Sequence, residues 1–324
     1  MAADSDTLLE IAIPTYNGSG TIEAAIESLF HSIGATGVKI TVYDNASTDL
    51  TIEVIRRLQA RHPALRLRPG SENVGFDGNV RRCIEGAVAD YVWFFSDDDV
   101  CPPDAVARLR AELARTGPSV AYLNHHVLAD EANPFSGAPL NVTGDRVFDD
   151  PRAYLQVCGL GFISALVLRT RSAKAYASRI KLGQGQAHLD VAVRMVLSEP
   201  GPYVLLGDLS IAARPALRYD GLKGAYINVA LFYRDLRDEG LVTDEEFTTR
   251  VRHIVGRDFL GNVIRQSATN RAGVRAMLDE FAPVGRLGGA HWRISFAANR
   301  MPACVWRAAK MLKSLFRRKE EGRA

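Results

Sequence analysis

Three consecutive carboxylates, Asp97, Asp98 and Asp99, follow a run of mostly apolar residues from Tyr91 to Phe95. Adjacent carboxylates repel one another and cannot all be buried without a compensating charge. Carboxylate oxygens are hard ligands that suit Mg²⁺ or Mn²⁺, and these ions often take phosphate oxygens as further ligands. The apolar run is typical of a buried strand, so the sequence predicts a core strand that ends at a metal-binding loop.

Three other loops rich in polar and turn-forming residues also follow predicted strands. They are Pro14–Gly20 (PTYNGSG), Asp44–Asp49 (DNASTD) and Glu72–Asn79 (ENVGFDGN). Each alone is explained by the turn and helix-cap preferences of Asn, Gly, Ser and Asp. Together they suggest more, because glycine-containing loops expose backbone N–H groups to phosphate, and an acid at a strand end can accept hydrogen bonds from a base or ribose. The four loops describe a site for a nucleoside diphosphate with a bridging divalent ion.

The elements that must position these loops alternate along the first 125 residues. Short apolar runs predict strands at Leu8–Ile13, Val38–Asp44, Leu65–Leu67, Tyr91–Phe95 and Val120–Leu123. Apolar residues at helical spacing predict helices at Thr21–Ile33, Thr51–Arg61, about Val80–Val88 and Pro102–Arg115, the last with its prolines in the first turn. This alternation predicts an α/β fold with a doubly wound, mostly parallel sheet, in which ligands bind beyond the carboxyl ends of the strands.

The pattern after Asn124 is less regular. Residues 125–150 read as a long loop, and the region from about Leu222 to Phe281 is mostly helical. Between them the sequence predicts a strand at Gly161–Arg169, a helix at His188–Leu197 and a strand at Tyr203–Gly207.

Charge and cysteine content narrow the class of protein. The net charge of +3 is uneven, because the segment from Arg286 onward carries +8 and the preceding residues carry −5. A chain-wide basic surface for nucleic acid is therefore not expected. The four cysteines are scattered and form no CxxC pair, which favours reduced thiols and a cytoplasmic location. Neither a signal peptide nor a membrane-spanning helix is expected.

A basic amphipathic helix is predicted over residues 303–319. Its apolar residues recur at helical spacing beside several Lys and Arg residues. Such a helix is typical of contact with an anionic membrane surface, here the inner face of the plasma membrane. The alternative is that its apolar face packs on the rest of the chain or on a second subunit.

The four loops, taken in order, resemble the signature motifs of family-2 glycosyltransferases with the GT-A fold. The resemblance covers about residues 8–125 and rests on PTYN, YDNASTD, ENVGFDGN and DYVWFFSDDD. Further on, LGFISALVLR and AHLDVAVRMVL look like the abequosyltransferase branch. The resemblance implies a GT-A catalytic domain over 1–220, with a nucleotide-binding half (about 8–125) and an acceptor half (about 126–220), followed by a helical region over 221–324.

The resemblance also implies a reaction. It is the metal-dependent, inverting transfer of a hexosyl or deoxyhexosyl group from a UDP, dTDP, CDP or GDP sugar to a hydroxyl acceptor, on a polysaccharide, a lipid-linked glycan or a secondary metabolite. The implied nucleotide-binding residues are Pro14, Thr15, Tyr16, Asn17, Asp44, Asn45, Gly75, Phe76, Asn79, Asp97 and Asp98. The family's metal motif often starts with an acid where this chain has Ser96. Which of Asp97, Asp98 and Asp99 bind the Mg²⁺ or Mn²⁺ therefore stays open.

The general base has two candidates. Family members carry an acid pair where this chain has Ala187 and His188. His188 suits proton abstraction because an unperturbed imidazole has a pKa near 6.5. Asp190 is the second candidate, and a reaction without a protein base is the third reading. The resemblance places Phe162 and Ser164 on the acceptor side.

Two other function classes compete with glycosyl transfer. A sugar nucleotidyltransferase usually has Arg and Lys in a glycine-rich loop after its first strand, but Pro14–Gly20 contains no basic residue. A catalytically inactive sugar- or lipid-binding scaffold is supported only by the missing acid pair.

Overall fold

The computed structural model describes residues 8–33, 38–140, 143–215, 223–267 and 269–300, in two compact units. The first unit spans Met1–Leu217 and the second spans Arg218–Ala324. The predicted basic helix at residues 303–319 lies outside the described residues.

The described part of the first unit is built on one mixed sheet. Its strands are β1 (Leu9–Thr15), β2 (Lys39–Asp44), β3 (Leu65–Pro69), β4 (Tyr91–Phe94), β5 (Val120–Val127), β6 (Arg146–Phe148), β7 (Leu166–Arg169) and β8 (Tyr203–Ala213). Their order across the sheet is β3-β2-β1-β4-β7-β5-β8-β6. β1 to β4 are mutually parallel, as are β5 and β8, while β7 and β6 run antiparallel to their neighbours. The predicted α/β fold with a mostly parallel sheet is confirmed.

Seven helices accompany this sheet in the described residues. They are α1 (Ile22–Ile33), α2 (Thr51–Arg61), α3 (Gly75–Gly86), α4 (Ala105–Thr116), α5 (Pro151–Val157), α6 (Thr170–Ala177) and α7 (Ala187–Ser198). α1 contacts α2 and α4, whereas α3 contacts α6 and α7, so the helices form two groups. Two groups are what a sheet covered on both faces requires.

The apolar runs become central strands because both of their faces are covered. Ile11, Ile13, Val92 and Phe94 have no exposed surface. Burying each such side chain contributes about 1.5–3 kcal/mol relative to leaving it in water. The polar loops at the strand ends are thus carried by the most buried part of the molecule.

Several element boundaries differ from the sequence predictions. α4 begins at Ala105, so Pro102 precedes the helix instead of lying in its first turn. α3 begins at Gly75, so half of the predicted loop before it is helical. β5 continues to Val127 because its second half pairs with β8 beyond a register shift, and this pairing was not visible in the sequence. The short helices α5 and α6 were missed because seven or eight residues give a weak periodic signal.

The second unit is helical in its described residues. A π-helical turn (Lys223–Asn228) leads into α8 (Val229–Asp238), α9 (Asp244–Ile254), α10 (Arg257–Ser267), α11 (Arg271–Gly285) and α12 (Ala290–Arg300). α9 starts with a capping box formed by Thr243 and Glu246. Phe259, Phe281 and Trp292 make ring contacts at its centre. The predicted helical C-terminal region is confirmed, and no helix among the described residues is long and apolar enough to cross a membrane.

Candidate functional site

The loops after β1, β2 and β4 meet at one edge of the sheet. The strand register places Thr15 beside Asp44 and Ala12 beside Phe94. The backbone N–H of Asn45 donates to the carbonyl oxygen of Thr15 over 2.9 Å. Three of the four loops singled out from the sequence are therefore neighbours at the carboxyl ends of parallel strands.

The loop after β1 is held in shape by the loop after β2. The backbone N–H of Asn17 donates to Ser47 Oγ over 2.9 Å, and Asn17 Oδ1 accepts from the Thr48 N–H over 2.8 Å. The N–H of Gly18 donates to Thr51 Oγ1 over 2.9 Å. Asn17 has a φ of 53°, a left-handed conformation that Asn tolerates better than most residues. The two loops thus form one preorganised unit.

Asp97 lies against the loop after β1. Thr15 Oγ1 donates to Asp97 Oδ2 over 2.5 Å. A Cβ atom on Gly18 would lie 2.3 Å from the same oxygen, so the carboxylate can approach this closely only because residue 18 is glycine. Tyr16 is 40% exposed beside this contact. The strand that delivers the aspartates is therefore coupled directly to the first loop.

The three aspartates diverge instead of sharing one focus. Asp98 Oδ1 accepts from Ser96 Oγ over 2.5 Å. Asp99 is only 2% exposed, and it accepts from Ser164 Oγ over 2.6 Å and from the Arg214 N–H over 3.0 Å. Within the described ranges, no group of three or more His, Cys, Asp or Glu residues is arranged to hold a metal ion.

Asp99 has the environment of a structural anchor. Burial raises the pKa of Asp99 to about 7, and the neighbouring Asp98 charge acts in the same direction. Its oxygens face Ser164 and the backbone of Arg214, so its contacts do not favour the predicted role as a third metal ligand. Asp97 and Asp98 are only partly buried and remain as the ligand pair. One or two carboxylates completed by phosphate oxygens and water are a normal Mg²⁺ or Mn²⁺ donor set, so the residues fit such an ion.

Asp44 is fully buried at the end of β2. Its Oδ2 accepts from the Ser47 N–H over 3.0 Å, while Oδ1 is buried with no hydrogen-bond partner among the described residues. A buried acceptor without a donor costs about 1–3 kcal/mol. Asp44 is thus the most direct candidate in this loop for accepting a hydrogen bond from a ligand.

Asn45 joins the second loop to the third. Its amide nitrogen donates to Asn73 Oδ1 over 2.8 Å and to the Gly75 carbonyl over 3.2 Å, while its Oδ1 accepts from the Val74 N–H over 3.0 Å. Gly75 has a φ of 74°, which favours glycine at this position. The following ring, Phe76, is 43% exposed. Asn45, which follows β2, therefore holds the third loop in position.

Asn79 lies beneath the edge, where it braces β2. It is 2% exposed, and its amide nitrogen donates to the Tyr43 carbonyl over 2.8 Å. Its Oδ1 accepts from the Arg82 guanidinium over 3.1 Å. The predicted nucleotide contact at Asn79 thus falls on a side chain occupied with structural hydrogen bonds.

Asp77 connects α3 to the start of α7, a role that the sequence did not reveal. Its Oδ2 accepts from the N–H groups of Gln184 (2.8 Å) and Gly185 (2.7 Å), and its Oδ1 accepts from the N–H of Ala187 (2.9 Å). The carboxylate caps the α7 N-terminus across more than a hundred residues of sequence. A separation of that length carries no local signal.

His188 is buried at the first turn of α7, 5% exposed. Its Nε2 lies 3.1 Å from the Gly161 carbonyl, and since a carbonyl only accepts, Nε2 carries the hydrogen. Nδ1 then holds a lone pair, and it is buried without a partner in the described residues. Burial lowers the pKa of His188, against the smaller raising effects of the Gly161 bond and the Asp77 charge. The ring is therefore a neutral base, and the Phe76 ring meets it edge-on with 5.7 Å between centroids.

Asp190, the other base candidate, is part of a buried ion pair. Arg194 Nε donates to Asp190 Oδ1 over 2.5 Å, and the two side chains are 3% and 9% exposed. A cation at this distance stabilises the carboxylate and makes it a weaker base.

Side chains of the predicted acceptor half stand on both faces of β5. The His125 ring stacks on Phe162 with 4.3 Å between centroids, and burial lowers the pKa of His125 to about 4. His126 faces the opposite side and contacts Ser210 Oγ (2.8 Å) and the Pro134 carbonyl (2.7 Å). Ser164, predicted beside Phe162, is instead fully buried under the aspartates.

The predicted nucleotide-binding residues thus separate into two sets. Those at least partly exposed at the edge are Tyr16, Asn17, Gly75, Phe76, Asp97 and Asp98, with Pro14 half-buried. Those buried beneath it are Thr15, Asp44, Asn45 and Asn79. Asp77, which sequence reasoning missed, belongs to this buried support, as does Ser164, which was predicted on the acceptor side and lies against Asp99.

Comparisons with known proteins bear on this arrangement. Residues 10–157 match the family model for Glycosyl transferase family 2. The chain is 31% identical over 108 residues to the succinoglycan biosynthesis protein ExoA of Rhizobium meliloti, which covers 33% of each protein. The matches span between 10% and 38% of the length of the curated relatives. The residues that match this family model include all four loops, strand β1 from Glu10 onward and strands β2 to β6.

Solved structures extend the likeness over most of the chain. S. aureus TarS 1–349 in complex with UDP-GlcNAc matches with a TM-score of 0.56 and 15% identity, covering 90% of this chain and 91% of that one. The mannosyltransferase PcManGT from Pyrobaculum calidifontis, in complex with GDP-Man and Mn2+, matches with a TM-score of 0.56 and 16% identity, covering 92% and 88%. At these identities the likeness shows the fold, and it confirms the predicted GT-A architecture with a helical C-terminal region.

We expect the raised pKa of Asp99 to make the stability of the first unit pH-dependent. The group titrates near pH 7 when folded and near 3.8 when unfolded, so the native state binds more protons in this window. Its contribution is present at low pH and is lost as the pH rises through 7. The unfolding free energies of wild type and Asp99→Asn can be measured with urea at pH 5 and at pH 8. From pH 5 to pH 8, wild type should lose on the order of 2 kcal/mol of unfolding free energy relative to the variant.

A matched control is Asp104→Asn, which removes an exposed acid near the same loop. It should keep the wild-type pH dependence. If the unfolding free energies of wild type and Asp99→Asn changed equally with pH, Asp99 would titrate as an ordinary carboxylate, and the raised pKa assigned to it would be wrong.

Removing the Asp77 carboxylate should release the segment before α7. Asp77→Ala leaves three backbone N–H groups without their acceptor, which costs about 1–3 kcal/mol of unfolding free energy. Hydrogen–deuterium exchange should be faster at Gln184, Gly185 and Ala187. Glu85→Ala, which removes an exposed acid from the same helix, is the control and should leave exchange there unchanged. Unchanged protection in Asp77→Ala would mean that the cap does not hold this segment.

Proposed function

We propose that the protein is a glycosyltransferase that moves a sugar from a nucleoside diphosphate to a hydroxyl acceptor. The observation that carries the proposal is the meeting of Asp97 with Thr15 and Gly18 at the carboxyl edge of a GT-A sheet. The UDP-GlcNAc and GDP-Man named for the two solved neighbours support a nucleotide-sugar donor. UDP, dTDP, CDP and GDP are the donor nucleotides to test.

Each buried contact has a role in this proposal. The free Oδ1 of Asp44 would accept a hydrogen bond from the base or ribose, with Asn45 fixing the third loop beside it. Asp97 and Asp98 would hold the divalent ion, which supplies charge neutralisation for the diphosphate when bound. Thr15 orients Asp97, and Asp99 anchors the loop through Ser164 and the Arg214 backbone, while its raised pKa reduces the charge that it adds.

His188 is the proposed general base. Its neutral Nδ1 would take the proton of the acceptor hydroxyl while that oxygen bonds to the anomeric carbon and the bond from this carbon to the diphosphate oxygen breaks. The electron pair of the broken bond leaves on the diphosphate, and a single displacement of this kind inverts the anomeric configuration. The ion pair of Asp190 with Arg194 supports a structural role for the second candidate.

Finer assignments rest on the amino-acid sequence alone. They are the abequosyltransferase-like branch, a deoxyhexosyl or hexosyl donor, a lipid-linked acceptor, a cytoplasmic location and membrane contact through residues 303–319. A nucleotidyltransferase would release pyrophosphate and an inactive scaffold would release nothing, so identifying the product of donor turnover separates them from glycosyl transfer.

Nucleotide binding should require the metal. In thermal-shift measurements we expect one of UDP, dTDP, CDP and GDP to stabilise the protein when Mn²⁺ is present. At about 100 times its dissociation constant, that nucleotide adds roughly 2.7 kcal/mol. Asp98→Asn should lose the Mn²⁺-dependent part of the shift, while Asp104→Asn should keep it. No shift with any nucleotide would contradict the proposed function, and equal shifts with and without Mn²⁺ would contradict the metal role alone.

His188→Ala should lower kcat by about 10²–10⁴-fold, the usual range for a general base, with the donor KM little changed. Because burial lowers the pKa of His188, the imidazole stays neutral to more acidic pH. The acid limb of the wild-type rate profile should therefore lie below pH 6.5.

Asp190→Asn serves as the comparison for the base assignment. It disturbs a buried ion pair and should cost stability, but folded protein should keep most of its kcat. Turnover that survives His188→Ala in folded protein would remove His188 as the base, and loss of kcat only in Asp190→Asn would exchange the two roles.

A further inference from the structure

A cavity lies at the edge of the sheet opposite the aspartates, where β1 and β4 begin. It has a volume of about 1070 Å³ and opens between Leu8, the first residues of β4 and the start of α6. Because β1 has seven residues at about 3.3 Å each, this edge lies roughly 20 Å from the aspartate edge. The cavity is therefore separate from the proposed transfer site.

The cavity is cationic at one end. Arg110, Arg169, Arg171 and Lys174 line it, against the single acid Asp90. Arg169 is held in place, since its guanidinium donates to two backbone carbonyls and lies over the Tyr91 ring. Arg171 and Lys174 are exposed and make no ion pair within the described part of the chain. Arg171 and Lys174 therefore carry positive charge that no acid of the described residues pairs with.

The N-terminus of α6 adds backbone donors at the same place. The helix starts at Thr170 without a side-chain cap. The Thr170 N–H donates to the Asp90 carbonyl over 2.8 Å, and the following N–H groups of the first turn have no intrahelical acceptors. Thr170 is 5% exposed and lines the cavity, and its hydroxyl has no hydrogen-bond partner among the described residues. A buried unpaired hydroxyl beside free cations is the feature that indicates an anionic ligand.

The other end of the cavity is apolar. Leu8, Val88 and Leu113 contribute to its walls, and Val88 is 76% exposed. The volume is several times that of a phosphate ion, so an inorganic anion would leave this wall uncovered.

We propose that this cavity binds a small organic phosphate. The phosphate group lies at the start of α6 and accepts from Thr170, Arg171 and Lys174, while the organic part covers Leu8 and Val88. The chemistry is that of anion binding at a helix N-terminus strengthened by side-chain cations.

Phenyl phosphate is a suitable probe, because it joins a phosphate to an apolar ring and contains neither a nucleotide nor a sugar. Isothermal titration calorimetry should show saturable binding to the full chain. Arg171→Gln with Lys174→Gln should weaken it at least tenfold. The matched control is Arg56→Gln with Arg66→Gln, which removes two exposed cations elsewhere on the unit and should leave the affinity unchanged.

Two further variants separate the possible outcomes. Thr170→Val should weaken the binding of phenyl phosphate severalfold without lowering the unfolding temperature, since the hydroxyl makes no hydrogen bond to the described residues. Asp97→Asn with Asp98→Asn should leave phenyl phosphate binding intact, so this site and the proposed function fail independently. Equal affinity in wild type and the Arg171/Lys174 variant would overturn the proposal. If inorganic phosphate bound as tightly as phenyl phosphate, the proposed contact of the ligand's organic part with Leu8 and Val88 would be wrong.

Discussion

Repulsion among three carboxylates at the end of one buried strand is the constraint on which the site depends. Charges this close cannot all persist in a low-dielectric setting, and the structure separates them by direction and environment. Asp97 turns toward Thr15, Asp98 toward Ser96, and Asp99 into the core, where burial raises its pKa to about 7. Two charges remain at the surface and the third is largely suppressed. A divalent ion and diphosphate would then complete an arrangement that the protein has already made tolerable.

The loops that surround these aspartates are rigid because each is bonded to the next. Asn17 meets the second loop, Asn45 meets the third, and Asp77 reaches from α3 to the segment before His188. The polar side chains at the edge therefore share one network, in which removing one partner leaves buried groups unpaired in two loops. Such preorganisation is what transfer chemistry needs, because donors and acceptors must stand in place before charge develops.

The sequence predicted what local pattern can carry. Strand and helix periods located β1 to β4, α1 and α2 closely, and the loops fell at the strand ends because parallel strands share a carboxyl edge. What it could not predict were contacts between distant segments, such as Asp77 with residues 184–187 or Ser164 under Asp99. It also treated the aspartates as equivalent, because a run of identical letters does not tell which side chain points inward. The short helices were missed because seven or eight residues give a weak periodic signal, and the β5–β8 pairing was missed because it joins distant segments.

The base assignment follows from this same buried support. Where the family resemblance implies an acid pair, a carboxylate would carry a negative charge, whereas the neutral imidazole of His188 carries none. The Gly161 carbonyl fixes the hydrogen on Nε2 of His188, and burial keeps the ring neutral, so Nδ1 is available as an acceptor over the physiological range. Asp190 cannot offer this while it neutralises Arg194. In the proposed role of base, a neutral imidazole adds no further negative charge to a unit in which three adjacent aspartates already repel one another.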